Sequence, residues 1–127
     1  DARDKIDIKD TELGLDFINA LTPRQFKYNY REFYIDKKQT DLGKIKSGID
    51  KKRIRNHQGL IAQEVKEVID KLGIDFAGYK DHKITGGQDV LSLGYTEFIA
   101  PLIKAVQELS VRLEILEKNT KSTTPEV

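Results

Sequence analysis

The last third of the chain carries the pattern that most limits what it can fold into. Ile99, Val106 and Leu113 fall seven residues apart, and so do Leu102, Leu109 and Leu116. The two sets interleave as the a and d positions of nearly three heptads, a repeat that lays apolar side chains along one seam of a helix. Thr96 is placed to cap a helix running to about Lys118, with Pro101 near enough to its start to be accommodated with a bend. Phe98, Ile103 and Ala105 widen the apolar face at the N-terminal end, where the helix is expected to pack on a globular part as well. After Leu109 the stripe narrows to a and d, with Arg112, Glu114, Glu117 and Lys118 around it. A core-facing helix inside a monomer and a helix that leaves the body to pair with its own copies both fit; the narrowing favours the second. Val at an a position with Leu at d leans towards two strands, so periodicity alone does not lead to three. Beyond the helix, residues 119–127 read as a disordered Ser/Thr/Pro-rich tail.

Composition suits a helix that needs partners. Only 38% of the 127 residues are hydrophobic and 34% are charged, so part of the apolar surface is expected to be hidden against another copy. Lys and Arg number 22 against 21 for Asp and Glu, a net charge of +1 that points to no class of partner. The absence of cysteine excludes a disulfide framework, a thiolate metal site and a Cys nucleophile. No stretch approaches the roughly 20 apolar residues of a membrane span, and the opening residues are charged rather than a signal peptide.

Ahead of the helix the chain alternates short elements with one excursion. Ile6 and Ile8 would share a face of a short strand. Leu13, Phe17, Ile18 and Leu21 lie at helical spacing, stopped by Thr22-Pro23 because the residue before proline disfavours helix. Phe26, Tyr28 and Tyr30 alternate with Lys27 and Asn29 as a strand, which residues 33–35 would continue or pair with. Residues 36–56 are basic, with few apolar positions, and read as an extended arm. Leu60 and Ile61 end a buried strand, and Gln63 to Leu72 form a helix with Val65, Val68, Ile69 and Leu72 as its stripe and Gly73 as a left-handed cap. Residues 74–79 and 90–93 are expected as short strands around a polar loop, 81–89. The fold class is therefore α+β: one domain over 1–127 with a small mixed globular part, an extended arm and a long C-terminal coiled-coil helix.

Three segments, in this order, resemble the self-cleaving chaperone domain of phage endosialidases, long tail fibres and neck appendages, the S74 peptidase family. They are Asp1-Ala2-Arg3-Asp4-Lys5-Ile6, similar to a Ser-Asp-x-Arg-x-Lys opening without its serine; Gly59-Leu60-Ile61-Ala62-Gln63-Glu64-Val65; and Tyr95 to Leu109. Leu15-Asp16-Phe17-Ile18, Thr22-Pro23 and Phe26 to Asn29 fit the part between the first two, and residues 36–56 depart from compact members as an insertion.

The resemblance implies a homotrimer joined through Ile99, Leu102, Val106, Leu109, Leu113 and Leu116. Such a trimer would register the upstream fibre or spike chains of the same precursor in the cytoplasm of an infected host. It implies a single-turnover serine–lysine endopeptidase with Lys5 as general base, cutting the Ser–Asp bond before Asp1. The nucleophile would depart with the fibre, and the domain would be absent from the mature virion. A lysine in an apolar or cationic setting holds its proton less tightly and can activate a hydroxyl; Arg3 and Lys9 could supply that setting, opposed by Asp1, Asp4 and Asp7. A serine attacking its own carbonyl would close a four-membered ring, so participation across protomers or another role for the serine is expected.

His57, beside the central run, is a candidate helper, ahead of His82; two histidines without cysteine make a poor metal set, and no metal or cofactor is implied. Gln63 and Glu64 could orient the site or cap the helix, and Gly86-Gly87 is a turn rather than a phosphate loop. The competing functions are a trimerisation module without proteolysis and a nucleic-acid-binding oligomer using the basic residues between Lys44 and Arg55. Carboxylates spread through a near-neutral chain argue against the latter.

Overall fold

In a computed structural model, residues 1–31, 53–84 and 86–123 are described, with side chains as far as Lys121. The expected pairing of residues 33–35, most of the arm over 36–56 and the end of the tail, 124–127, lie outside them. Two compact units emerge, one made of residues 1–22 and 62–127 and the other of residues 23–61. The mixed, short-element α+β character agrees with the sequence.

The first unit is built on three phenylalanines. A 3-10 turn, Ala2–Asp4, opens it, followed by helix α1, Leu15–Ala20, which buries Leu15 and Phe17. Helix α2, Ala62–Leu72, turns Val65 and Ile69 inward, and Val65 is only 1% exposed. A turn after α2 delivers Phe76, and a second 3-10 turn, Tyr95–Phe98, delivers Phe98. Phe17 lies 5.1 Å from Phe76 and 6.2 Å from Phe98, with Phe76 and Phe98 edge to face at 4.8 Å. The Phe17–Phe76 and Phe76–Phe98 contacts are tilted and edge-on, which suits the ring quadrupoles, and Phe17 and Phe98 are nearly parallel at 9°. A Cβ at Gly78 would run into the Phe76 ring, so close approach of the backbone requires glycine there.

The end of α2 follows its sequence signals. Gly73 has φ +65°, and the N–H groups of Gly73 and Ile74 donate to the carbonyls of Asp70 and Ile69. That is the paired bond pattern of a left-handed helix cap. Leu72, expected in the stripe, is instead exposed, because the chain leaves the helix there.

Strands are shorter than the sequence suggested. β1, Arg24–Phe26, pairs antiparallel with β2, His57–Gly59, in the second unit; β3, Tyr79–Asp81, pairs antiparallel with β4, Leu91–Leu93, in the first. Residues 74–76 are irregular and 77–78 a turn, rather than strand, and Phe76 is buried in the core. Ile6 and Ile8 do not form a strand either: Asp7 between them has φ +53°, which breaks the alternation, and both isoleucines are exposed.

Helix α3, Ile99–Thr123, is longer than expected and carries helix into the segment read as a disordered tail. Thr96 lies inside the preceding 3-10 turn rather than capping it; Gly94 holds the cap position without a side-chain bond. Pro101 sits in the first turn of α3, where no intrahelical donor is lost. One face of α3 meets the body through Pro101 and Ala105, both buried, with Lys104 and Glu108 half-buried beside them. The seam lies on another face. Ile99, Leu102, Val106, Leu109, Leu113 and Leu116 are between 48% and 61% exposed, and every residue from Leu109 to Lys121 is exposed. The core-facing reading of the seam therefore fails for this chain. Ile103, expected to help pack on the body, is exposed, as are Val111 and Ile115 off the seam. Among the described residues no helix is long and apolar enough to cross a membrane.

Candidate functional site

The opening residues close on themselves. Asp1 caps the first 3-10 turn: its carboxylate accepts from the Arg3 backbone N–H at 3.0 Å and from the Arg3 guanidinium at 3.0 and 2.5 Å. Its carbonyl oxygen accepts from the Asp4 N–H at 3.2 Å and from the Lys5 ammonium at 3.1 Å. A 3-10 turn advances three residues per turn, so a side chain four residues on can reach back over the first. The spacing Asp-x-Arg-x-Lys thus has a local geometric cause: Arg orients the aspartate, and Lys returns to the aspartate backbone. The Asp1 amino group is held below the ordinary α-amino range, chiefly by its hydrogen bond with the Lys5 side chain and secondarily by desolvation.

The neighbours expected to make the setting cationic are engaged elsewhere. Arg3 is committed to Asp1. Lys9 pairs with Glu12 at 2.8 Å, and their hydrogen bond and charge raise the lysine and lower the carboxyl. Residues 1–10 are all exposed, so among the described residues nothing gives Lys5 an apolar enclosure.

The remaining candidates lie apart by role. Gly59 ends β2 opposite Arg24, whereas Gln63 and Glu64 belong to the first turn of α2, directly before the buried Val65. The central run is therefore a strand-to-helix joint that sets Val65 into the core. His57 belongs to the second unit, where its ring stacks on Phe26 at 5.9 Å and meets Tyr28 at 4.8 Å. His82 shares a 2.8 Å hydrogen bond with Ser92.

Two side chains on the body face of α3 escaped the sequence reading. Lys104 donates to the Thr11 carbonyl, and the Glu108 carboxylate accepts from the Leu15 N–H at 3.4 Å. Glu108 thereby occupies the capping position that Gly14, without a side chain, leaves open; a Cβ at Gly14 would collide with it. The two contacts join residues 93 apart, and only the i, i+4 spacing of Lys104 and Glu108 hinted that they act together.

A family model described as chaperone of endosialidase (peptidase S74) matches residues 1–74. The chain belongs to the chaperone of endosialidase family. No curated protein and no solved structure gives a significant match. The span matched to the endosialidase chaperones takes in the Asp1–Lys5 turn, α1, the β1–β2 pair and α2 with its glycine cap. The closing resemblance over Tyr95 to Leu109 falls beyond it.

Proposed function

We propose that this chain is an intramolecular chaperone that trimerises through α3, registers the upstream fibre or spike chains of its own precursor, and then cuts itself free at the Ser–Asp bond preceding Asp1. The observation that carries the reading is the Lys5 ammonium 3.1 Å from the Asp1 carbonyl, one residue from the bond to be cut. The exposed a/d seam of α3 supports the assembly half. Intertwined β-structure forms slowly, since distant contacts must close before they stabilise anything. A trimeric clamp raises the local concentration of the three chains and removes much of that barrier. Once the clamp has left, the folded fibre is kinetically held. The released domain would stay in the host cytoplasm and out of the virion.

The cleavage runs across protomers. A serine hydroxyl from a neighbouring copy attacks the carbonyl of the serine preceding Asp1, and the Lys5 amine accepts the hydroxyl proton. Lys5 then passes the proton to the Asp1 nitrogen, which leaves as the new amino group, and water releases the acyl half. Enclosure by the neighbouring copy gives Lys5 the desolvation a general base needs.

The test is a precursor carrying the upstream segment. It should yield a fragment whose N-terminal sequence begins at Asp1. Lys5→Ala should leave an uncut precursor that still trimerises, and co-expression with a precursor lacking the serine should restore partial cleavage. Unchanged cleavage in Lys5→Ala removes the lysine from the mechanism, and a wild type that never cuts leaves a trimerisation module without proteolysis.

A further inference from the structure

Helix α3 carries a second apolar stripe that the heptad seam does not use. Lys104 and Glu108 hold residues 11–15, and the next positions on that side of the helix, spaced three and four apart, are Val111 and Ile115. Both lie beyond the part of α3 that the body covers, and they are 55% and 53% exposed. By helical position Arg112 and Lys118 border this pair, with Glu114 at its far edge.

A second bare apolar pair lies on the segment that Lys104 fastens at Thr11. Ile6 and Ile8 are 87% and 71% exposed, and every one of residues 1–10 is exposed. Asp7 between the two isoleucines has φ +53°, a left-handed setting that a non-glycine residue keeps when neighbours hold it there. The described residues of the same chain put nothing over it. This strap has the length to travel, since ten extended residues span about 33 Å and the rise from Lys104 to Ile115 is about 17 Å. The single chain nevertheless leaves both pairs bare, so the strap does not make this contact with its own helix. Charge fits as well. Between Asp4 and Asp10 the strap holds three carboxylates against two lysines, one of which, Lys9, is tied to Glu12.

We propose that the strap of one copy docks on the α3 of a second copy, seating Ile6 and Ile8 on Val111 and Ile115 and turning its carboxylates towards Arg112 and Lys118. A second copy is the occupant that the fold itself supplies. Each copy carries both halves of the contact, and a closed ring of copies satisfies all of them. The contact rests on the association proposed above and gives the cleavage site its missing wall. Lys5 adjoins Ile6, so a docked strap carries the ammonium against an apolar neighbour and out of water, where it holds its proton less tightly.

The chain contains no cysteine, so introduced ones report alone. Copies carrying Ile8→Cys are mixed with copies carrying Val111→Cys, reassembled and equilibrated in a glutathione redox buffer. A covalent dimer of one of each should form, because a disulfide needs Cα atoms within about 7 Å. Lys71→Cys on α2 serves as the control partner and should give none. A yield no higher than the control's overturns the proposal, and so does a chain carrying both cysteines that closes on itself as a cyclic monomer. Sedimentation separates two kinds of failure. An associated protein without the bond sinks the strap contact alone, whereas a protein that stays monomeric sinks the assembly reading with it. In the precursor, Val111→Asp should slow release of the Asp1 fragment by roughly tenfold to a hundredfold, a part of what a general base supplies, with the sedimenting mass unchanged. Release at the wild-type rate overturns the proposal too.

Discussion

Lys5 and Phe17 show how differently single residues can matter here. The Lys5 side chain lies on an exposed turn, and its significance is that it reaches the Asp1 backbone. In a chain beginning at Asp1, Lys5→Ala should raise the titration midpoint of the Asp1 amino group towards the ordinary α-amino value, because the hydrogen bond that depresses it is removed. Isotope-edited NMR of that nitrogen would read the shift, and an unmoved midpoint would mean that Lys5 does not lie over Asp1 in solution. Phe17 is 2% exposed and touches both other core phenylalanines. Its replacement by alanine should cost about 3–5 kcal/mol in chemical denaturation, the range for emptying a well-packed aromatic site. The apolar character of Phe17 could be read from the sequence. Phe98 was expected to pack on a globular part and does, but its pairing with Phe17 and Phe76 could not be read, since that contact joins segments far apart in the chain.

Elements are held by their ends as much as by their stripes. The Gly73 cap leaves α2 through a left-handed residue with open space around it, so Gly73→Ala should cost about 1–2 kcal/mol from backbone strain alone. Helix α1 is only six residues long and has no side-chain cap of its own. Glu108 on α3 stands in for one, so Glu108→Ala should lower stability by about 1 kcal/mol and Glu108→Gln by less, both read from urea midpoints at constant slope. The stop at Thr22-Pro23, the α2 stripe through Val65 and Ile69, and the Gly73 cap were legible because each depends on neighbours within a turn or two. Leu15 was missed as a core residue because the helical spacing pointed to Leu13. The true start at Leu15 is set by Gly14 lying against α3, a contact that local sequence does not encode.

For the whole molecule, the deciding feature is that α3 has two apolar faces, only one of them covered. Pro101, Lys104, Ala105 and Glu108 look to the body, while the heptad seam lies open on another side. Leu109→Asp should therefore leave the phenylalanine core folded but abolish association in sedimentation experiments. It should also reduce helicity in the C-terminal turns, since an uncovered helix of that length is marginal in water. Unchanged sedimentation would mean that the seam is not the contact between copies. The heptads, the α2 stripe and the Asp-x-Arg-x-Lys spacing belong to the sequence itself, because periodicity and reach along one segment are properties of neighbouring residues. Which face of α3 the body takes, and that Lys104 and Glu108 hold residues 11–15, were decided only by tertiary structure. Those features depend on segments far apart in the chain being brought together.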